Sequence, residues 1–230
     1  MTRAEYFRYI VDVHGKLARD NPLTLRRYVQ NHVDDSAFGA QGQAAYSEHF
    51  HRDSVTELYF ASVEDLQSNL GHEYTRTVIA PDGAHFAEIP TNQTLLTREL
   101  GAGFQESAPV GTKVMHFLAI SEGMTVNDVQ SEWEELQARA YETSAEITES
   151  FIACSTSVVL TSGPAAMLAR HFGEGTGPEI GMVTSIWLKN SDLSAFRKYQ
   201  QALMASGQFD AAASYFLIVR EVEIFNSAAG

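Results

Sequence analysis

Six of the chain's eight histidines fall within the first 85 residues: His14, His32, His49, His51, His72 and His85. Imidazole changes charge near neutral pH, so histidines that share a site with other polar groups are candidates for proton transfer. His32 closes the run Leu25 to Val33 (LRRYVQNHV), which alternates as a strand does, with Tyr28, Gln30 and His32 in one row and Arg27, Val29, Asn31 and Val33 in the other. A second run, Val55 to Phe60, alternates in the same way. If the aliphatic residues Val29, Val33, Leu58 and Phe60 pack under helices, the row Tyr28, Gln30, His32 and the row Val55, Glu57, Tyr59 face together into a closed interior. A carboxylate, an imidazole and two phenols there supply a general base, an acid and an oxyanion partner. Several ionisable groups in a dry cavity are costly unless they are used. The structural alternative is that they only satisfy one another where two layers meet.

The remaining candidates each carry two readings. His14 ends the first periodic stretch, where it is either a proton acceptor or a helix-terminal cation against the dipole. His49 and His51 in SEHFHRD suggest a metal pair, but no third histidine stands at zinc spacing; a loop over the site mouth fits better, and no metal is expected. His116 shares a strand face with Val114, Leu118 and Ile120, which favours packing over substrate contact. Trp187, with Glu149 and Tyr215, lines the C-terminal half of the same cavity on this reading. Cys154 lies among small and apolar residues with no base nearby and reads as a buried apolar group rather than a nucleophile. Phosphate loops, dinucleotide glycine fingerprints and nucleophile elbows are missing from the sequence.

These residues need elements to hold them. Tyr6, Tyr9, Ile10 and Val13 recur at helical steps, and His14-Gly15 reads as a helix stop, with Pro22 beyond it. Strands follow at Leu25 to Val33 and Val55 to Phe60, then helices through Val63 to Phe86 and a strand near Gln93 to Leu100. Gly101 to Gly111 reads as a linker. Past it the pattern restarts: strand Lys113 to Ile120, helix Thr125 to Tyr141 opened by a Thr125/Asp128 capping box, strands Ile147 to Cys154 and Met182 to Leu188, helices Ser191 to Ala205 and Phe209 to Ala213, and strand Tyr215 to Phe225. This βαββαβ order is a split βαβ unit. The first unit lacks its opening strand: either the chain starts late, or an upstream start was missed, or another segment fills the edge, which would otherwise be a liability.

The runs DVHGKLA and LRRYVQNHV, followed by SVTELYF, VEDLQSNL and VIAPDGAHF, resemble the EthD family over most of the first hundred residues. The resemblance implies an α+β fold: two tandem ferredoxin-like units, 1–101 and a diverged 112–230, stacked face to face as a dimeric α+β barrel within one chain. It also implies cofactor-independent acid/base chemistry of lyase, dehydratase, isomerase or cyclase type on a small aromatic or polyketide-like compound. His14 or His32 would take the proton, Tyr28, Gln30 or Tyr59 would hold the oxyanion, and Glu57 would orient the base. Related barrels imply two alternatives, an oxygenase that is cofactor-free or haem-dependent and a non-catalytic accessory binder.

Composition narrows the partners. A net charge of −13, from 29 acidic and 16 basic residues, disfavours nucleic acid and anionic membranes. The single cysteine rules out an intrachain disulfide framework and suits a reducing compartment. Apolar runs stay well short of a membrane span, which is ~20 residues. The expectation is a cytoplasmic homodimer acting on a small apolar or aromatic substrate.

Overall fold

The computed structural model describes residues 1–38, 52–88, 92–101, 110–161 and 178–227, together with 164, 165, 168 and 172. Helix α1 (Arg3–Tyr9) opens on a capping box in which Thr2 and Glu5 satisfy each other's backbone groups. It runs into a π-helical turn, Ile10–His14, and then α2 (Gly15–Asp20). His14-Gly15 is therefore not the expected stop. Gly15 is helical, with φ −61°, and the stretch ends instead at Asn21, just before Pro22. Glycine is needed at 15 because of crowding: a Cβ there would lie 2.9 Å from the Ile10 carbonyl oxygen and 3.0 Å from Ile224 Cγ2.

Strands β1 (Arg27–Phe38) and β2 (Ser54–Tyr59) follow, then α3 (Val63–Gly71), a second π-helical turn (Thr75–Ile79), α4 (Ala80–Gly83) and β3 (Thr97–Leu100). The C-terminal part comprises β4 (Thr112–Ala119), α5 (Val126–Glu142), α6 (Ala145–Ser150), β5 (Phe151–Val159), β6 (Ile180–Leu188), α7 (Ser194–Ala205) and β7 (Tyr215–Asn226). The Thr125/Asp128 capping box forms as expected. The strand expected at Ile147 begins later, at Phe151, because Ala145–Ser150 makes a turn and a half of helix that buries Ile147 completely.

The seven described strands join one curled antiparallel sheet, a half-barrel in the order β2-β1-β7-β4-β6-β5-β3. The fold is α+β. Two sheets facing each other were expected; here the two halves of the chain meet edge to edge, β1 pairing with β7 and β3 with β5. Strand alternation then separates two cores. One face carries Val114, Leu118, Met182, Ile186 and Phe216, packed under Trp133 and Leu136 of α5 and Phe196 and Tyr199 of α7. The inner face carries Val33, Met115, Phe117, Leu217 and Val219, with the Phe117 and Tyr215 rings stacked 4.7 Å apart. Among the described residues, no helix is long and apolar enough to cross a membrane.

Candidate functional site

Tyr28, Gln30 and His32 do form one row, but it faces the helices. Gln30 Nε2 donates to the Ile10 carbonyl at 2.6 Å and to the Tyr28 hydroxyl at 2.8 Å, while Gln30 Oε1 lies 3.3 Å from His32 Nε2. The His32 ring stacks on Phe7 of α1, with centroids 4.2 Å apart and planes 4° from parallel. The expected sharing of a face with Glu57 and Tyr59 is thus corrected. Pairing sets Val29 opposite Glu57 and Asn31 opposite Val55, so the Glu57 face continues onto Arg27, Val29, Asn31 and Val33. In an antiparallel pair a one-residue difference in register exchanges the faces. Here the polar row is the one roofed by α1, because Ile10 and Phe7 offer it a carbonyl and a ring.

At the rim of this layer His14 Nδ1 lies 2.8 Å from Asp82 Oδ2, and the Tyr9 hydroxyl donates to Asp82 Oδ1 at 2.6 Å. The two side chains are 16% and 12% exposed, so the pair is sheltered yet reachable. The π-turn positions His14 and α4 positions Asp82. Phe86 ties them together, its ring 4.7 Å from His14, 5.9 Å from Tyr9 and 6.1 Å from Tyr6, whose hydroxyl meets Ser54 Oγ at 2.6 Å. An ionised carboxylate only accepts hydrogen bonds, so Asp82 fixes the imidazole proton on Nδ1 and leaves Nε2 as a base. Burial pushes the Tyr28 phenol up to about 12, so it stays protonated and can donate. Burial, reinforced by the Arg220 guanidinium, brings His32 down to about 4 and keeps it neutral at pH 7.

The inner face holds a second polar cluster. Lys113 Nζ contacts Asn31 Oδ1 at 2.9 Å, Glu57 Oε2 at 2.8 Å and Glu221 Oε2 at 2.9 Å. Arg27 donates through Nε to Glu223 at 2.7 Å and through Nη2 to Glu221 at 3.0 Å. Asn31 and the Tyr59 hydroxyl both donate to Glu57, at 2.7 and 3.1 Å. Burial alone would raise the Glu57 carboxyl, but the Lys113 charge and the hydrogen bonds from Lys113, Asn31 and Tyr59 hold it below its ordinary value. The Lys113 ammonium lies 5.0 Å from the Trp187 ring centroid.

The expected site is therefore divided by the sheet. His14, Tyr28, Gln30 and His32 lie in the helix-covered layer, and Glu57, Tyr59 and Trp187 lie on the inner face. His116 joins neither group: it is fully buried, edge-on to Phe196 of α7 at 5.4 Å, and burial lowers it to about 3. Core packing, the reading its strand face favoured, accounts for this position, since even-numbered positions of β4 point at α7. His49 and His51 lie outside the described residues. Cys154 is held near 11 by burial and takes a contact from Gln137 Nε2 at 3.4 Å, as an unreactive thiol would.

Sequence reasoning missed the partners more than the candidates. Asp82 looks locally like a turn or cap residue, although VIAPDGAHF places it about one helical turn before Phe86. Lys113, Glu221 and Glu223 left a usable signal: charges at alternate positions of otherwise apolar strands, which burial makes expensive unless they pair.

A family model for the EthD domain matches residues 1–90, the segment that contains α1, the π-turn, β1, β2, α3 and α4. No curated protein matches the chain. By that match the first 90 residues of this chain are similar to the EthD family.

Proposed function

We propose that the layer between α1 and strands β1 and β2 is an active site for cofactor-independent proton transfer on a small aromatic or polyketide-like compound. The chemistry is of lyase, dehydratase, isomerase or cyclase type. The observation that carries this reading is the His14–Asp82 contact at 2.8 Å, with Tyr9 holding the second carboxylate oxygen. Asp82 orients the imidazole and stabilises the imidazolium that forms when Nε2 removes a proton next to an electron-withdrawing group. Phe86, Phe7 and Tyr6 provide aromatic walls, which suits a flat apolar substrate. The Tyr28 hydroxyl, kept protonated by burial, is the donor available for a developing oxyanion. His32, lowered to about 4, serves as a neutral stacking and hydrogen-bonding wall rather than the base.

Exchange of deuterium into a panel of aromatic ketones and phenols tests this. His14→Ala should lower the exchange rate by roughly two to four orders of magnitude, the usual contribution of one general base. Exchange at the wild-type rate in both His14→Ala and Asp82→Asn would remove the site from this layer.

We also read the chain as two ferredoxin-like units, 1–101 and 112–230, that dimerises with a second copy. The order β7-β4-β6-β5 among the C-terminal strands supports the second unit, and the outer edges of β2 and β3, unpaired among the described residues, offer surfaces for dimerisation.

A further inference from the structure

Gln30 is fully buried under α1, and every polar atom of its side chain has a fixed task. A carbonyl oxygen only accepts, so the group 2.6 Å from the Ile10 carbonyl is the amide nitrogen, whose second hydrogen goes to the Tyr28 hydroxyl at 2.8 Å. Oε1 is left facing His32 Nε2 at 3.3 Å. An imidazole nitrogen opposite an amide oxygen carries the proton, so neutral His32 is the Nε2–H tautomer. Both Gln30 donors are spent inside the protein, which leaves the amide without a donor for an oxyanion.

The Ile10 carbonyl that Gln30 holds is the one that closes the π-turn. In an unbroken α-helix this oxygen would accept from the His14 N–H; here it accepts from the Gly15 N–H, one residue further on. Such turns are rare and occur mostly singly inside α-helices, often at functional sites. The Gln30 N–H fills the second lone pair of that carbonyl, and His14 is the last residue of the turn. Asp82 arrives by a similar route: the second π-turn, Thr75–Ile79, is closed by the Ala80 N–H on the Thr75 carbonyl, and Asp82 follows in α4. At its other hydrogen bond Gln30 occupies a lone pair of the Tyr28 oxygen, which leaves the phenol proton for another acceptor.

We infer that Gln30 is a positioning residue for proton transfer in this layer. Its one amide holds the π-turn that delivers His14 to Asp82, and it sets the direction of the Tyr28 hydroxyl. Base and oxyanion donor are thereby braced from a single side chain, so a change at position 30 moves both. The inference rests on the reading of this layer as a proton-transfer site, and Gln30 acts there only through Ile10 and Tyr28.

The test uses the whole chain, labelled with heavy nitrogen at histidine, and two variants. Gln30→Met keeps the size of the side chain and removes both donors; Gln30→Asn keeps the amide but is one methylene too short to reach both acceptors. Ring correlation spectra at about pH 8, above the ordinary imidazole range, read the His14 tautomer. The wild type should show a single Nδ1–H form, and both variants a mixture of Nδ1–H and Nε2–H forms, at a temperature well below their unfolding midpoints. Deuterium exchange into 2-tetralone, an aromatic ketone, should fall by roughly ten- to a hundredfold in kcat with KM little changed, as displacement of a base does. A side chain that only packs would lower the unfolding temperature and leave the tautomer as it is. A single Nδ1–H form in both variants would overturn the inference. Exchange at the wild-type rate in His14→Ala would instead overturn the proton-transfer reading, and the ring spectra would still decide whether Gln30 holds His14.

Discussion

Asp82 gives His14 a direction, and that is testable apart from charge. Asp82→Asn keeps the size of the side chain and offers an amide that can donate to Nδ1, which turns the imidazole to the wrong tautomer. The expected result is an exchange rate lowered by at least tenfold with thermal unfolding little changed, read by deuterium exchange and calorimetry on one sample. Lys113 makes the opposite kind of contribution. Lys113→Met strands Glu57 and Glu221 on the inner face and should cost about 3 kcal/mol in urea unfolding, the lower end of the range for a broken buried pair because Glu57 keeps some solvent. Adding Glu57→Gln to that variant should recover part of the loss. The two depressed histidines set the acid limb. His32 and His116 fall from 6.5 to about 4 and about 3 on folding, so the unfolded chain binds more protons between those values. Stability contributed by their neutral forms is present above pH ~6.5 and is lost as pH falls towards 4. His116→Phe, which keeps a ring against Phe196, should flatten that limb in denaturation curves taken from pH 7 to pH 4. Of these residues the sequence exposed the ones that carry chemistry by type, the histidines and Glu57, because type and spacing are local. It hid their partners, because Asp82, Glu221 and Glu223 reach His14, Arg27 and Lys113 only through pairings far apart in the chain.

The elements were legible where periodicity is strong. Strands β1, β2, β4, β6 and β7 and helix α5 fall within a few residues of where alternation, run length and the Thr125 cap put them. What could not be read was which face of β1 meets the helices. Both rows of Leu25 to Val33 mix polar with apolar residues, and the choice is made by what α1 offers from above, a π-turn carbonyl and the Phe7 ring. The π-turn was likewise invisible, since the same Gly15 that permits close approach of Ile224 is a common helix-stop signal. Gly15→Ala separates the two readings. At a left-handed cap alanine would be strained by its φ, and in an ordinary helix it would stabilise. Here the Cβ meets the Ile10 carbonyl and Ile224, so the substitution should destabilise by about 1–3 kcal/mol and lower activity through displacement of His14.

At the scale of the molecule, the sheet leaves β2 and β3 as its outer strands, and Leu58 of β2 is exposed there. If a second copy covers that edge, light scattering should return twice the 25.4 kDa chain mass, and Leu58→Lys should shift the population towards the monomer. The α+β class followed from counting elements. The single half-barrel did not, because strand order depends on which edges meet: the β1–β7 pairing spans most of the sequence, and β3–β5 joins strands about 60 residues apart.

That β1–β7 pairing also bears on how the protein is made. Arg27 to Phe38 register against Asn226 to Tyr215, so the strand at the heart of the family-matched segment finds its longer neighbour only when residues 215–226 have left the ribosome. During synthesis β1 has β2 on one side and a bare row of amides and carbonyls on the other. The first 90 residues therefore supply only part of the sheet, and β1 stays half-paired until β7 has been made.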